Sequence, residues 1–265
     1  MPGGPKPGPV SGHKSGHGPA TPRGLVFASY NIHKGVGADR ICDPERILAV
    51  LRELDADVIA LQEADRRFGT REAVIPHHLL REASPWRAVA PGVIDRARRP
   101  GSLGWHGNVI LVRREIAVTG CEAVALPTLE PRGAVAVDLA WEGQRVRVIG
   151  MHLDLSGLRR RQQVRVACGA AGTGARVLMG DFNEWAPRRG ALAAFSDELT
   201  VLAPGRSFPA RRPLGGLDRI VVSEDWHVED LGVHHSPLAV MASDHLPVWA
   251  RLRPKAGWAP DLPKK

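Results

Sequence analysis

The sequence predicts an α/β protein in which antiparallel or mixed β-sheets pack on each other beneath a few covering helices. The chain has 265 residues, and 43% of them are apolar, which is enough for a sizeable core. Predicted strands greatly outnumber predicted helices, and many neighbouring strands have no helix between them. These patterns leave open whether the strands form two packed sheets or the single sheet of an α+β fold.

The first half of the chain is mostly strands, with one well-marked helix. Residues 25–33 and 58–64 are predicted strands. Between them, Asp43 is a typical N-cap followed by proline, and an apolar stripe extends the helix to Leu54. Shorter strands are predicted in WRAVAP, GNVILVRR, AVAVDLAW and RVRVIGMHLDL, the last three separated by turn-rich pieces.

The second half begins with a polar, arginine-rich helix, predicted from about Gly157 to Ala171. This helix leads into a buried strand in the segment RVLMGDFN. A short helix is predicted near residues 190–196. Strands in LDRIVVS, HVEDLGVHH and HLPVWARLR complete the pattern.

The positive charge lies mainly at the two ends of the chain. Of the formal net charge of +8, residues 1–24 carry +3 and residues 253–265 carry +3, which leaves +2 for residues 25–252. A nearly neutral central region does not establish a face that binds a phosphate backbone. We expect a disordered Pro/Gly/His-containing leader at 1–24, one domain at 25–253 and a basic tail at 254–265.

Cysteine usage and hydropathy indicate the compartment. The three cysteines lie far apart and show no metal-ligand spacing, so a reduced compartment is the simpler interpretation. The leader has no apolar core typical of a secretory signal, and no later apolar run is long enough to span a bilayer. We therefore expect a soluble, cytoplasmic protein that acts as a monomer.

Acidic, amide and imidazole side chains occur where predicted strands begin or end. They lie in six segments: SYNIHKG, LQEAD, GMHLDL, GDFNEW, LDRI and SDHLPV. Because side chains alternate along a strand, Asp181 and Asn183 should share a face while Phe182 points into the core. The eight residues presented by these segments are Asn31, Glu63, His152, Asp181, Asn183, Asp218, Asp244 and His245.

Each of these residues has an ordinary structural explanation when it is taken alone. An isolated aspartate such as Asp218 is more often a cap or turn residue, and a lone histidine such as His152 is more often structural than a ligand. Together, however, so many acids would repel one another unless a cation neutralised them. Oxygen ligands without paired cysteines favour Mg²⁺ or Mn²⁺ over zinc. Two histidines would add a cationic group and a proton donor for phosphoester cleavage.

In this order, the six segments resemble the motifs of the endonuclease/exonuclease/phosphatase superfamily, the deoxyribonuclease-I-like hydrolases. The resemblance spans about residues 25–252, and its GDFN and SDH signatures are highly specific. It implies a four-layer α-β-β-α sandwich of two mixed β-sheets flanked by helices. It also implies a metal-dependent phosphoric ester hydrolase in which water attacks phosphorus in line.

The resemblance implies roles for the residues that hold the metal and the attacking water. Glu63 resembles the principal metal ligand, with Asn31 helping to hold metal and phosphate. Asp244 resembles an additional acid of the metal site. Asp181 resembles the residue that orients or deprotonates the water, and Asn183 resembles the neighbour that positions a phosphate oxygen.

Other residues resemble those that contact the scissile phosphate. His245 resembles the histidine that touches this phosphate, and Asp218 resembles the carboxylate that holds its ring. His152 resembles the second histidine, often drawn as the general acid. The resemblance does not decide which histidine gives up the proton. Asn108 matches a further family position near the phosphate.

Arginines flank the predicted site and are candidates for binding a second phosphate or a phosphorylated head group. Arg132, Arg160 and Arg212 represent the three arginine-bearing segments next to predicted catalytic strand ends. The run LRRRQ at 158–162 is explained equally well as a solvated helix face. Trp105 and Trp185 lie close to motifs and could stack on a base or line a lipid-facing rim.

The substrate remains open at this point. The first motif, NIHKG, has His33 where the abasic-site repair branch commonly carries an acid or amide, so it resembles a bacterial branch instead. The favoured function is a phosphodiesterase acting on nucleic acid or on a phospholipid head group, with nucleic acid or a membrane surface as partner. A phosphomonoesterase acting on a small or inositol-like phosphate would use the same site. A non-catalytic binding module on the same fold is the alternative of a different class.

Overall fold

The computed structural model describes residues 23–66, 72–89, 91, 102–128, 132–186 and 189–255. The predicted leader lies outside these residues except for Arg23 and Gly24, and the predicted basic tail lies outside them except for Pro254 and Lys255. The helices within the described ranges are all too short or too polar to cross a membrane.

Twelve strands and four α-helices form the described part of the chain. The helices are α1 (Pro44–Leu54), α2 (His77–Ala83), α3 (Gly157–Ala171) and α4 (Pro237–Ala242). The strands are β1 (Leu25–Asn31), β2 (Val58–Gln62), β3 (Trp86–Val89), β4 (Val109–Arg113), β5 (Ala117–Val124), β6 (Ala134–Trp141), β7 (Gln144–His152), β8 (Ala175–Asp181), β9 (Leu199–Leu202), β10 (Asp218–Ser223), β11 (Trp226–Val233) and β12 (Val248–Pro254).

The strands form two six-stranded mixed sheets with the same internal plan. The first has the order β11-β12-β1-β2-β4-β3, and the second has the order β5-β6-β7-β8-β10-β9. In the first sheet β1 and β2 are parallel and are connected through α1. In the second, β7 and β8 are parallel and are connected through α3. Each sheet therefore carries one parallel pair, whose carboxyl ends lie side by side.

The inner faces of the two sheets pack directly against each other. Their shared apolar cluster contains Phe27 and Ile110 from the first sheet and Val148 and Val177 from the second. All four side chains are fully buried. Burial of each large apolar side chain contributes about 1.5 to 3 kcal/mol, so this interface is a principal source of stability.

Helices cover both outer faces. Residues of β1 such as Tyr30 pack with Ile47 of α1 and Ala239 of α4 in a second cluster. Leu178 of β8 packs with Val164 of α3 in a third. The three clusters separate four layers in the order helix, sheet, sheet, helix. This architecture confirms the predicted α-β-β-α sandwich and excludes the single-sheet alternative.

The two longest helices begin and end where the sequence predicts. The Asp43 side chain accepts a hydrogen bond from the Arg46 amide at 3.0 Å and caps α1, with Pro44 in the first turn. By contrast, α2 and α4 have seven and six residues, which is too short for a helical period to be evident. Strand β5 was also missed, because most of its residues are partly or fully exposed and it forms the edge of its sheet.

Candidate active site

The polar strand ends of both sheets converge at one edge of the sandwich. Asn31 ends β1, His152 ends β7 and Asp181 ends β8. Asp218, the first residue of β10, is paired in register with Asp181, as is His152. A hydrogen bond from Asn31 to Asp181 joins the two sheets across this edge. The site therefore exists only when the sheets are packed together.

The carboxylate of Asp181 lies at the centre of these contacts. Its Oδ2 accepts a hydrogen bond from Asn31 Nδ2 at 3.1 Å and lies 3.4 Å from His152 Nε2 and 3.8 Å from His245 Nε2. Its Oδ1 accepts from the Asn183 amide at 2.9 Å. The carboxylate is thus held from both sheets between two imidazoles. The Phe182 side chain points into the outer core, as the strand alternation predicts.

His245 is positioned by a buried carboxylate. Its Nδ1 lies 2.9 Å from Oδ2 of Asp218, which also accepts a hydrogen bond from Ser207 Oγ. Burial lowers the pKa of His245, but the charges of Asp218 and Asp181 outweigh it and raise the pKa to about 10. The ring is therefore protonated at neutral pH, and Nε2–H points toward the centre of the site.

His152 has the opposite protonation behaviour. Burial lowers its pKa to about 4, and the positive charge of Arg132 adds to this lowering against the opposing effect of Asp181. The Arg132 guanidinium contacts His152 Nε2 and donates to the Leu153 carbonyl at 2.7 Å. Because arginine can only donate, Nε2 accepts here, as expected of a neutral imidazole.

Glu63 and Asp244, both predicted metal ligands, lie beside the NIHKG turn. The Lys34 ammonium contacts Oε2 of Glu63. Burial raises the pKa of Glu63, but the hydrogen bond from Lys34 and neighbouring positive charges leave it below its usual value. Lys34 and Glu63 both adopt left-handed backbone conformations, with φ of 56° and 53°. Asp244 Oδ1 lies 3.9 Å from His33 Nδ1.

The oxygen donors at this edge suit a hard divalent cation. The β1–β2 register pairs Asn31 with Gln62, which places Glu63 one residue beyond the amide of Asn31. Within the described ranges, no group of three or more His, Cys, Asp or Glu side chains is placed so that it could hold a metal ion by itself. Mg²⁺ characteristically binds through one or two carboxylates, with water and substrate phosphate completing its shell. A single carboxylate with a neighbouring amide oxygen fits that mode of binding.

The predicted phosphate-binding residues occupy different environments. Asn108 is buried and donates from Nδ2 to the Gly133 carbonyl at 3.1 Å, while its Oδ1 has no hydrogen-bond partner among the described residues. The Arg132 guanidinium is linked to the central residues through its contact with His152. Arg160 is buried in an ion pair with Glu184 at 3.3 Å, which gives it a structural role away from the central carboxylate.

Two further predicted residues have other contacts. Arg212 is exposed, and the described contacts do not join its side chain to the central residues. Asn183 donates from Nδ2 to the Leu153 carbonyl at 3.0 Å, which ties the GDFN turn to the end of β7.

Sequence reasoning missed four residues that shape the site. Ser243 Oγ donates to the Asn31 carbonyl at 2.8 Å and accepts from the His245 amide at 3.3 Å. The Phe208 ring packs on the His245 ring with centroids 4.7 Å apart. Ser207 contacts Asp218, and Lys34 contacts Glu63. Lys34 and Ser243 lie inside recognised motifs, and Phe208 begins the segment FPARRP before LDRI, whereas Ser207 has no local sequence signal.

The sequence profile of the Endonuclease/Exonuclease/phosphatase family matches residues 28–245, most of the sandwich. The chain belongs to this family. It is 32% identical over 212 residues to the uncharacterized protein YbhP of Escherichia coli (strain K12), in a match that covers 72% of this chain and 82% of the relative. Members of the family are phosphoester hydrolases that in general depend on a divalent metal ion.

Solved structures share the fold of this family member at low sequence identity. An endonuclease/exonuclease/phosphatase from Beutenbergia cavernae is 22% identical with a TM-score of 0.65, covering 88% of this chain and 72% of that chain. D. rerio TDP2 complexed with single strand DNA product is 15% identical with a TM-score of 0.66, covering 87% and 99%. The Bacteroides thetaiotaomicron mannosyl-6-phosphatase Bt3783 is 20% identical with a TM-score of 0.62, covering 86% and 99%.

Proposed function

We propose that this chain is a divalent-metal-dependent phosphodiesterase that hydrolyses a nucleic-acid or phospholipid-type phosphodiester by in-line attack of water. One observation carries the proposal. The buried carboxylate of Asp181 is held between a protonated histidine, His245, and a neutral one, His152. This arrangement provides a base and a cation within a few ångströms of each other, which phosphoester hydrolysis requires.

Asp181 orients and deprotonates the attacking water. Hydrogen bonds from Asn31 and from the Asn183 amide fix both carboxylate oxygens, so the carboxylate does not have to reorganise during the reaction. Because these donors come from both sheets, the direction of the carboxylate is set by the packing of the whole sandwich.

The two histidines have different roles in the reaction. His245, kept protonated by Asp218, stabilises the charge that gathers on the phosphate and can donate a proton to the departing oxygen. His152 is neutral and positions the Arg132 guanidinium, a second fixed cation suited to a phosphate oxygen. Loss of a group of this kind typically costs about 100-fold or more in rate.

Glu63, Asn31 and Asp244 are the residues that would hold the divalent ion. When bound, the ion would supply positive charge to the phosphate oxygens and help to orient the ester. Lys34 contacts Oε2 of Glu63. This contact helps to hold the pKa of Glu63 below its usual value, so that the carboxylate stays ionised. The chain thus maintains a deprotonated ligand for the ion.

Structural relatives are compatible with either diester or monoester chemistry. TDP2 was solved with a single strand DNA product, and Bt3783 is a mannosyl-6-phosphatase. At 15% and 20% identity they share the fold, so neither assigns a substrate to this chain. An activity assay is therefore needed to decide whether this chain cleaves diesters or monoesters.

The test compares an aryl phosphodiester with the matching monoester in the presence of Mg²⁺, Mn²⁺ or chelator. We expect metal-dependent diester cleavage that falls about 100-fold or more in Asp181→Asn and in His245→Gln. Glu82→Gln, an exposed acid on α2, is the control and should retain full activity. Cleavage of the monoester alone would select a phosphomonoesterase. A folded protein without turnover under any metal would favour a binding module.

A further inference from the structure

Exposed apolar side chains are concentrated at the catalytic edge. Among the described residues, seven large apolar side chains are exposed. One, Val166, lies in the middle of α3. The other six lie on loops, or at helix ends, that follow or precede the catalytic strand ends: Ile41, Leu155, Leu158, Trp185, Leu214 and Met241. The rest of the described surface is thus largely without such side chains, which makes their clustering here a feature of the site.

The loops that carry these side chains contact one another in series. Arg160 donates to the Leu155 carbonyl and pairs with Glu184, so it ties the loop after β7 to the loop after β8. The Trp185 ring lies against Gly215, where an added Cβ would be 2.7 Å from the ring, and Leu214 is the preceding residue. These neighbouring loops form one continuous side of the catalytic edge.

Further contacts extend this series of loops to the first sheet. Arg211 donates to the Ala38 carbonyl at 3.5 Å, and the Ala38 amide donates to the Met241 carbonyl at 2.9 Å. The loop that contains Ala38 also contains Ile41. We call these six exposed apolar residues the rim.

The rim stands directly beside the catalytic centre. The Trp185 ring centroid lies 6.1 Å from that of Phe208, and the Phe208 ring lies 4.7 Å from that of His245. Trp185 is 58% exposed, whereas His245 is 5% exposed. A surface that contacts Trp185 would therefore bring its phosphoesters next to the buried histidine.

Positive charge accompanies the rim. Arg161 donates to the Gly190 carbonyl at 3.2 Å and so lies beside the loop that follows Trp185. Asp39, an acid of the first-sheet loop, is neutralised by a hydrogen-bonded ion pair with Arg46. Five exposed arginines lie on the rim loops or near the start of α3: Arg40, Arg161, Arg189, Arg211 and Arg212. The surface is thus apolar and cationic, which complements an anionic membrane interface.

We propose that the catalytic edge docks on an anionic phospholipid bilayer, with the rim entering the interface and the arginines contacting head groups. The inference rests on the proposed function where it selects a phospholipid-type substrate, whereas docking itself requires no turnover. A bilayer fits better than a nucleic acid. Single-stranded nucleic acids are bound through aromatic stacking platforms, and only Trp185 of the six rim residues is aromatic.

Vesicle co-sedimentation in chelator tests docking without catalysis. The full chain is mixed with phosphatidylcholine vesicles, with phosphatidylcholine–phosphatidylglycerol vesicles, and with a single-stranded DNA oligonucleotide in a matched binding assay. We expect binding to the mixed vesicles that weakens with added salt. The double variant Leu158→Asp/Trp185→Ala should lower partitioning about tenfold or more.

Val166→Asp is the matched control, because it places the same charge at an exposed apolar position of the same helix, away from the rim. It should bind like the native chain, and circular dichroism checks that all variants are folded. Equal loss in the control and the double variant would overturn the proposal, as would binding to the oligonucleotide but not to vesicles. Docking by a chain that is inactive on aryl esters would refute only the proposed function, and an active chain that does not dock would refute only this inference.

Discussion

The two catalytic-edge histidines show that similar burial leads to opposite protonation states when the neighbouring charges differ. His152 and His245 are both buried, and burial lowers the pKa of each. Beside His245 the carboxylates of Asp218 and Asp181 reverse the effect of burial. Beside His152 the charge of Asp181 opposes burial without overcoming it, and the charge of Arg132 adds to the lowering. One scaffold therefore holds one charged and one neutral imidazole around Asp181.

Asp218→Asn should lower the pKa of His245, because it removes the strongest attraction for the imidazolium. We expect a fall of about 1 to 3 pH units, the usual effect of one close opposite charge. The measurement is an NMR titration of the His245 imidazole in chelator. Asp225→Asn, whose carboxylate contacts Ser223 instead, should leave the titration of His245 unchanged.

The same pKa values fix the pH dependence of folding stability. The raised pKa of His245 stabilises the folded state fully below about pH 6.5, and this contribution is lost as the pH rises to about 10. The lowered pKa of His152 costs stability as the pH falls from about 6.5 to about 4. Asp218→Asn should therefore flatten the alkaline loss in urea unfolding, and an unchanged alkaline loss would contradict the assignment.

At this scale the sequence predicts positions better than partners. Polar residues at the ends of apolar runs are local signals, so the eight candidate residues could be named from their segments alone. The partner of Arg160 is Glu184, 24 residues away, and Asp218 accepts from Ser207 in a separate loop. Such contacts arise only when the loops fold against each other, and no periodicity encodes them.

At the scale of elements, the close approach of β7 and β8 sets the spacing between His152 and Asp181. A Cβ added to Gly180 would lie 1.9 Å from the Met151 carbonyl oxygen, a backbone atom of the neighbouring strand. These two residues directly precede Asp181 and His152. The glycine is thus required for the strands to end side by side.

Gly180→Ala should destabilise the fold by about 1 to 3 kcal/mol, the usual cost of overpacking a buried position. It should also reduce activity, because the strands must separate where they present the catalytic pair. The measurements are urea unfolding and turnover of the aryl diester. Gly169→Ala on α3 is the control: its added Cβ meets nothing within 4 Å, and alanine favours a helix over glycine by about 0.5 to 1 kcal/mol. Equal effects at the two positions would contradict this role for Gly180.

Elements differ in how well the sequence predicts them. Helices α1 and α3 have caps or long polar patterns and were predicted with their observed bounds. Strand β5 has few buried residues, and α4 has only six residues, so neither carries a periodic signal of sufficient length. The pairing of strands into two sheets depends on long-range contacts, which is why the residues alone left a single sheet open and the family resemblance was needed.

At the scale of the whole molecule, the site is a joint between two sheets. Asn31 and Glu63 come from the first sheet, and Asp181 and His152 come from the second. A divalent ion held at this joint would bind the folded chain and not the unfolded chain, because the unfolded chain does not bring these residues together. Metal binding and folding should therefore be linked.

Mn²⁺ should raise the melting temperature of the native chain, and chelator should reverse the rise. An ion present at 100 times its dissociation constant stabilises the folded state by about 2.7 kcal/mol. For a domain of this size each 1 kcal/mol shifts the midpoint by about 2 to 4 °C, so we expect a rise of about 5 to 11 °C. Calorimetry or thermal fluorescence measures it.

Two variants show whether the predicted ligand causes this rise. Glu63→Gln removes the carboxylate that Lys34 contacts and should abolish most of the shift, whereas Glu82→Gln removes an exposed acid of α2 and should keep it. Equal shifts in both variants would mean that Mn²⁺ binds elsewhere on the surface. A shift lost only in Glu63→Gln would place the ion at Glu63, beside the joint, because the charges of Glu63 and Asp181 both act on His152.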